Sequence, residues 1–155
     1  MGVEAGDEKT LITPKEELKQ QFERYKDRVV FHISSRVKEN RLDKEAIEAI
    51  IAKIDTPMVT FEPQDRSLAN SLNAEAVATK SVDELIALLS FAKAVVTLDG
   101  GVVHIAPALS KPTVAIFGKT SISRWYPWGY REFCLNVKDE GLASGVEENI
   151  KKVLS

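Results

Sequence analysis

The chain has 155 residues, of which 44% are hydrophobic and 28% are charged, which predicts one globular domain and excludes wholesale disorder. Its net charge of -2 excludes the strongly basic surface of a protein that binds nucleic acid. The single cysteine, Cys134, excludes an intrachain disulfide, argues against a thiolate zinc cluster, and fits the reducing cytoplasm.

The pattern of apolar residues alternates between strands and helices along the chain. A polar tail is expected over 1–12, followed by one domain over 13–155, and no apolar run reaches the roughly 20 residues of a membrane-spanning helix. The predicted helices are 13–27, 42–54, 81–93, 101–110 and 146–154. The predicted strands are 27–35, 57–62, 75–79, 94–98, 112–118 and 131–137.

Capping residues mark where several of these helices begin. Thr13 followed by Pro14 predicts the start of the first helix, Asp43 caps the second, and Ser81 with Glu84 matches a capping box. The later strands are apolar throughout, which indicates burial on both faces of a sheet. This order predicts an α/β fold with a mainly parallel sheet and helices on both faces.

Ligands of such sheets bind beyond the carboxyl ends of the strands, so the loops there are the places to search. The GxGxxG and P-loop patterns are absent, which argues against a standard NAD or ATP-hydrolysing site. Asp99, Gly100 and Gly101 end one strand and begin a helix, where bare backbone and unpaired N–H groups suit a phosphate. His104 follows within a turn, and Asp99 would favour its protonated form.

Each of these residues also has a simpler interpretation. Asp99 would then cap the helix, the glycines would only turn the chain, and His104 would be a hydrogen-bonded core residue. From these residues alone both interpretations stay open. Pro107 predicts a short or kinked helix in either case.

The other loops contain candidates for the same ligand. Ser34 and Ser35 can hydrogen-bond phosphate oxygens, and Arg36 and Arg41 add positive charge. Further candidates are the acids Glu62 and Asp65 for ribose hydroxyls and the aromatic residues Trp125, Tyr126 and Trp128 for a base. The simpler interpretation of all these residues is that they lie in solvated loops or pack a loop onto the core. The simpler interpretation of His32 is that it is buried in a strand.

The stretch DGGVVHIAPALSKPTVAIFGKT, residues 99–120, resembles the ADP-heptose:lipopolysaccharide heptosyltransferases, glycosyltransferase family 9. The family shows an Asp, a small residue, Gly and, three residues later, His, then a small-residue helix, a Pro-led strand and Phe-Gly-x-Thr. Similarity to this family runs from about residue 28 to the end. Members of the family often have a basic residue just before Trp-Pro in the loop after the first strand. This chain departs from that pattern, because it has Asn40-Arg41-Leu42-Asp43 there.

The resemblance implies that this chain is the Rossmann-like, C-terminal half of a GT-B glycosyltransferase, which binds the nucleotide-sugar donor. It implies inverting transfer from a donor such as ADP-heptose to a lipid A–core acceptor, with no cofactor and no metal. The catalytic base and the acceptor site are expected on an N-terminal domain that this chain lacks. The implied donor-binding residues are Ser34, Ser35, Arg36, Arg41, Asp99, Gly100, Gly101, His104, Gly118 and Thr120.

The resemblance also implies a cytoplasmic protein, at the inner face of the inner membrane, with at most peripheral attachment. The alternative is a non-catalytic nucleotide-binding or assembly module with the same fold. A phospho-acceptor receiver domain fits poorly, because Ser34 and Ser35 stand where paired acids would end the first strand.

Overall fold

The computed structural model describes residues 11–118 and 126–155 of the chain. Its described strands are β1 Val29–His32, β2 Met58–Thr60, β3 Glu75–Val77, β4 Ala94–Leu98, β5 Thr113–Phe117 and β6 Leu135–Asn136. Its described α-helices are α1 Glu16–Phe22, α2 Lys44–Ile51, α3 Arg66–Ser71, α4 Val82–Leu89, α5 Val102–Ala108 and α6 Leu142–Leu154. No helix in these two ranges is both long enough and apolar enough to cross a bilayer.

The strands form a single parallel sheet in the order β3-β2-β1-β4-β5-β6, which confirms the predicted fold class. Every residue of β4 and β5 is buried, as their uniformly apolar sequences predict. The two faces carry different helices. The cores of α2, α3 and α6 pack on one face, and those of α1, α4 and α5 pack on the other.

Local sequence sets most of the helix starts. Asp43 accepts a hydrogen bond from the Ala46 amide at 2.8 Å and caps α2 as predicted. The Ser81 hydroxyl accepts from the Glu84 amide at 3.2 Å at the start of α4. The Glu84 carboxylate in turn accepts a hydrogen bond from the amide of Lys80 at 3.0 Å, one residue before the cap.

The prediction that Thr13 and Pro14 begin the first helix is wrong. Helix α1 begins at Glu16, with Lys15 as an N-cap in extended conformation. The reason is a tertiary contact, because the Ile12 amide donates to the Ala108 carbonyl at 2.8 Å and holds this segment along α5. Ile12, which makes this bond, is the last residue of the predicted tail over 1–12. Residues 1–10 of that tail fall outside the described ranges.

The strand order places a crevice at the carboxyl edge of the sheet. From β1 the chain builds outward through β2 to β3, and it then crosses back to place β4 on the other side of β1. The loops that follow β1 and β4 therefore leave in opposite directions. His32 and Thr97 are paired across β1 and β4, so these loops begin side by side.

Candidate functional site

A cleft of about 520 Å³ opens at this crevice. Loops that follow β1, β2, β3 and β4 line it, together with the first turns of α4 and α5. Six of the predicted donor-binding residues line the cleft: Ser34, Ser35, Arg36, Asp99, Gly100 and Gly101. Arg41, His104 and Gly118 lie beside it without lining it, and Thr120 lies outside the described residues.

The turn from Asp99 to Gly101 presents bare backbone to the cleft. Neither glycine has a positive φ, and a Cβ added at either would meet nothing within 4 Å. The conformation of the chain therefore does not require glycine here. Because glycine has no side chain, these two positions leave room for a ligand. The amides of Gly100, Gly101 and Val102 donate no hydrogen bond within the described part of the chain.

The Asp99 side chain points to a partner that the sequence did not reveal. Its Oδ2 accepts from Nδ2 of Asn40 at 3.1 Å, and Oδ1 of Asn40 accepts from the Gly118 amide at 3.0 Å. The N-cap of α5 is Gly101, which makes no side-chain capping bond. The interpretation of Asp99 as a helix cap is therefore wrong. The alternative that the two glycines only turn the chain stays open, although neither has a φ that requires glycine.

His104 is half-buried in the first turn of α5. Burial lowers its pKa below the usual 6.5, and this effect outweighs the negative charge of Asp99, which raises the pKa. The imidazole is consequently neutral at pH 7. Asp99 thus favours the protonated form of His104, as the sequence suggested, but desolvation is the larger effect and leaves the pKa of His104 lowered in the unliganded chain.

Both serines after β1 are buried and already hydrogen-bonded. Ser34 donates to Asp65 Oδ2 at 2.6 Å and accepts from the Glu62 amide at 2.8 Å, which ties the loops after β1 and β2 together. Ser35 donates to the Asp99 carbonyl at 2.9 Å, which ties the loops after β1 and β4 together. In the unliganded chain, each hydroxyl proton is therefore used in a hydrogen bond that holds two loops of the cleft together.

The two predicted arginines differ in their surroundings. Arg36 is exposed at the rim of the cleft, with its Nε 3.5 Å from Glu62 Oε1. Arg41 donates from Nε to the Ser35 carbonyl at 2.8 Å and so braces the loop from behind. Arg36 is thus the predicted cation that can swing toward an anionic ligand, because an exposed ion pair contributes little.

Sequence reasoning missed a second cation of the cleft, Lys80. It lines the cleft from the loop after β3, and its ammonium forms no ion pair with any described residue. The sequence did contain a signal for it, since Lys80 immediately precedes the capping box at Ser81 and therefore sits where a strand gives way to a helix. Apolar side chains complete this end of the cleft: Phe61, Val82, Leu85 and Ile105.

His32 also lines the cleft, from the last position of β1. Its Nδ1 lies 2.9 Å from Thr60 Oγ1, and burial lowers its pKa to about 4 although Glu62 and Asp65 raise it. The ring is therefore neutral at physiological pH. Across the described residues, no group of three His, Cys, Asp or Glu side chains has the arrangement of a metal site.

Comparison with known proteins gives a family match by sequence and a match in fold by structure. Residues 64–153 match glycosyltransferase family 9 (heptosyltransferase). Lipopolysaccharide heptosyltransferase 2 of Escherichia coli (strain K12) is 33% identical over 79 residues, which make up 51% of this chain and 20% of that protein. The structure of E. coli ADP-heptose lps heptosyltransferase II has a TM-score of 0.72 at 18% identity, over 93% of this chain and 53% of that one.

The structure of E. coli heptosyltransferase WaaC with ADP has a TM-score of 0.66 at 19% identity. The match covers 87% of this chain and 48% of the WaaC chain. The chain thus spans about half the length of these solved relatives. At such identities the structures show the fold, whereas the match over 64–153 shows the family. This chain belongs to glycosyltransferase family 9, the heptosyltransferase family.

Proposed function

We propose that this chain binds the nucleotide-sugar donor of an inverting glycosyltransferase, and that the donor is ADP-heptose. The observation that carries the proposal is the cleft at the switch point of the sheet, where the turn from Asp99 to Gly101 leaves unpaired amides and open space. Two cations, Arg36 and Lys80, border the same cleft. Unpaired donors beside cations suit a diphosphate.

The length of the cleft fits a nucleoside diphosphate. From β4 to β3 the edge of the sheet spans three strand spacings, or about 14 Å. In our proposal the diphosphate lies over the turn that follows β4, and the base lies against Val82 and Leu85 beyond β3. Glu62, between these ends, accepts hydrogen bonds from the ribose hydroxyls. A solved relative that contains ADP supports this class of ligand.

The other donor-binding residues have supporting roles in this proposal. Ser34, Ser35 and Arg41 hold the loops in place through the bonds they already make. Neutral His104 serves as an N–H donor rather than as a charge. Gly118 lets the chain pass close to the loop after β1, and Thr120 is proposed from the resemblance alone.

The chemistry is the transfer of a sugar with inversion. An acceptor hydroxyl attacks the anomeric carbon, the bond from that carbon to the diphosphate breaks, and the electron pair leaves with the diphosphate. The proton of the hydroxyl passes to a general base. The part that this chain plays is to stabilise the negative charge that grows on the departing diphosphate, through backbone amides and cations that are already in position.

The base and the acceptor site are proposed to lie in another domain of the full-length enzyme, so this chain alone transfers no sugar. Holding the acceptor oxygen against the donor contributes roughly 7–11 kcal/mol, which a donor-binding domain does not supply. The acceptor is proposed to be a lipid A–core saccharide. This acceptor would bring a cytoplasmic enzyme to the inner face of the membrane through peripheral contact only.

Calorimetric titration with ADP, GDP, UDP and CDP tests the proposal. We expect ADP to bind this chain, and the full-length enzyme to transfer heptose from ADP-heptose to a lipid A–core acceptor. If none of the four nucleotides binds the folded chain, the proposed donor site is wrong. If ADP binds but the full-length protein transfers no sugar, the alternative of a non-catalytic nucleotide-binding module is correct.

A further inference from the structure

Asn40 is completely buried between loops that follow three adjacent strands, β1, β4 and β5. Its Nδ2 donates to Asp99 Oδ2 at 3.1 Å, and its Oδ1 accepts from the Gly118 amide at 3.0 Å. One uncharged side chain thus joins the loop after β1 to the carboxylate at the cleft and to the end of β5. A buried amide with these contacts is expensive to displace.

Gly118 provides independent evidence that this junction is fitted together. A Cβ at position 118 would lie 2.1 Å from the Glu39 carbonyl oxygen and 2.7 Å from Oδ1 of Asn40. Both distances are below 3.0 Å, which real Cβ atoms essentially never show. Only glycine therefore allows the turn at 38–40 to approach the end of β5 closely enough for Asn40 to reach Asp99.

Asn40 donates a hydrogen bond to the one carboxylate in the turn from Asp99 to Gly101. Ser35 holds the main chain of this turn by donating to the Asp99 carbonyl at 2.9 Å. The side chain of Asp99 is held separately, by the donor group of Asn40. Without that donor, the carboxylate is free to rotate into the cleft, where it would repel an anionic ligand.

We infer that Asn40 is a positioning residue for the donor diphosphate, because it holds the Asp99 carboxylate away from the phosphate oxygens. This inference rests on the proposed donor site. Asn40 itself does not line the cleft, so it acts through Asp99 rather than on the ligand. Loss of Asn40 should therefore weaken nucleotide binding only while position 99 is negatively charged.

The test is the dissociation constant of ADP, measured by calorimetry on variants of this chain. We expect Asn40→Ala to raise it about tenfold, because the Asp99 carboxylate can then turn toward the diphosphate and repel it. Asn40→Asp keeps the shape and the acceptor for Gly118 but repels Asp99, and it should weaken binding at least as much. Asn136→Ala is the matched control, because Asn136 donates to the Gly118 carbonyl at 3.5 Å but makes no bond to Asp99.

A double-mutant cycle separates positioning from general damage to the fold. In an Asp99→Asn background we expect Asn40→Ala to change ADP affinity by less than about twofold. Folded Asn40→Ala and Asn40→Asp variants that bind ADP like the wild type would overturn the inference. An equal loss of affinity in the Asp99→Asn background would also overturn it. A wild-type chain that binds no nucleotide would instead refute the donor site on which the inference rests.

Discussion

Acid should destabilise this protein through His32 before most carboxylates protonate. Burial lowers the pKa of His32 to about 4, whereas in the unfolded chain the imidazole titrates near 6.5. The unfolded state therefore binds the proton first as the pH falls. The contribution to stability is intact above pH 6.5 and is lost progressively as the pH falls toward 4.

The magnitude follows from the difference between the two pKa values. It corresponds to about 3 kcal/mol in total, of which about 2 kcal/mol is lost between pH 7 and pH 5. His32→Asn removes this loss and can keep the contact with Thr60, because Nδ2 of asparagine lies near the position of Nδ1 of histidine.

Urea denaturation at pH 7 and at pH 5 measures the free energy of unfolding for each variant. We expect the drop between these two pH values to be about 2 kcal/mol smaller in His32→Asn than in the wild type. His104→Asn, the same substitution at the other histidine, should retain more of the drop because His104 is only half-buried. An undiminished drop in folded His32→Asn would refute the assignment of this pH dependence to His32.

Four further predictions concern the cleft and its surroundings. Lys80→Met should raise the dissociation constant of ADP roughly three- to tenfold, because it removes a cation from the cleft. Lys53→Met, at the amino edge of the sheet, is the control and should not change it. Equal dissociation constants for the two variants in calorimetry would show that Lys80 is not part of the site. Gly101→Ala should change the free energy of unfolding by less than about 1 kcal/mol, because the added Cβ meets no other atom of the chain. It should still weaken ADP binding about tenfold, because the Cβ occupies space in which the ligand is proposed to lie. Gly118→Ala should lower the free energy of unfolding by about 2 kcal/mol or more, because its Cβ meets the Glu39 carbonyl; if the two glycine variants reverse this order in urea denaturation, the cleft is misassigned. ADP binding should survive a chelator, and its loss with recovery on adding magnesium would contradict a metal-free site.

The sequence carried enough information to predict the parallel sheet. Uniformly apolar runs marked the buried strands β4 and β5, and the caps Asp43 and Ser81 marked two helix starts. Helix α3 was not predicted, because its six residues bury only Ala69 and give no periodic pattern. The first helix was predicted to begin too early, since local capping signals do not contain the contact of Ile12 with α5.

The location of the cleft followed from the rule for strand ends, but its internal contacts did not. Ser35, Asp99 and Asn40 are far apart in sequence, and their hydrogen bonds exist only after β1 and β4 become neighbours. The neutral state of His104 depends on burial, which a sequence pattern near an acid does not reveal. The roles of the donor-binding residues therefore remain predictions that binding experiments must test.

The most direct test of the donor site is to map ADP onto the amide NMR spectrum of this chain. We predict that saturating ADP shifts the amides of four loops at the carboxyl edge: 33–37, 61–63, 79–82 and 99–102. The amides of Gly100 and Gly101 should shift most, because they have no partner within the described residues. Shifts confined to the shallow pocket at the opposite edge, around Thr56 and Asn73, would contradict the proposed site, as would an unchanged spectrum.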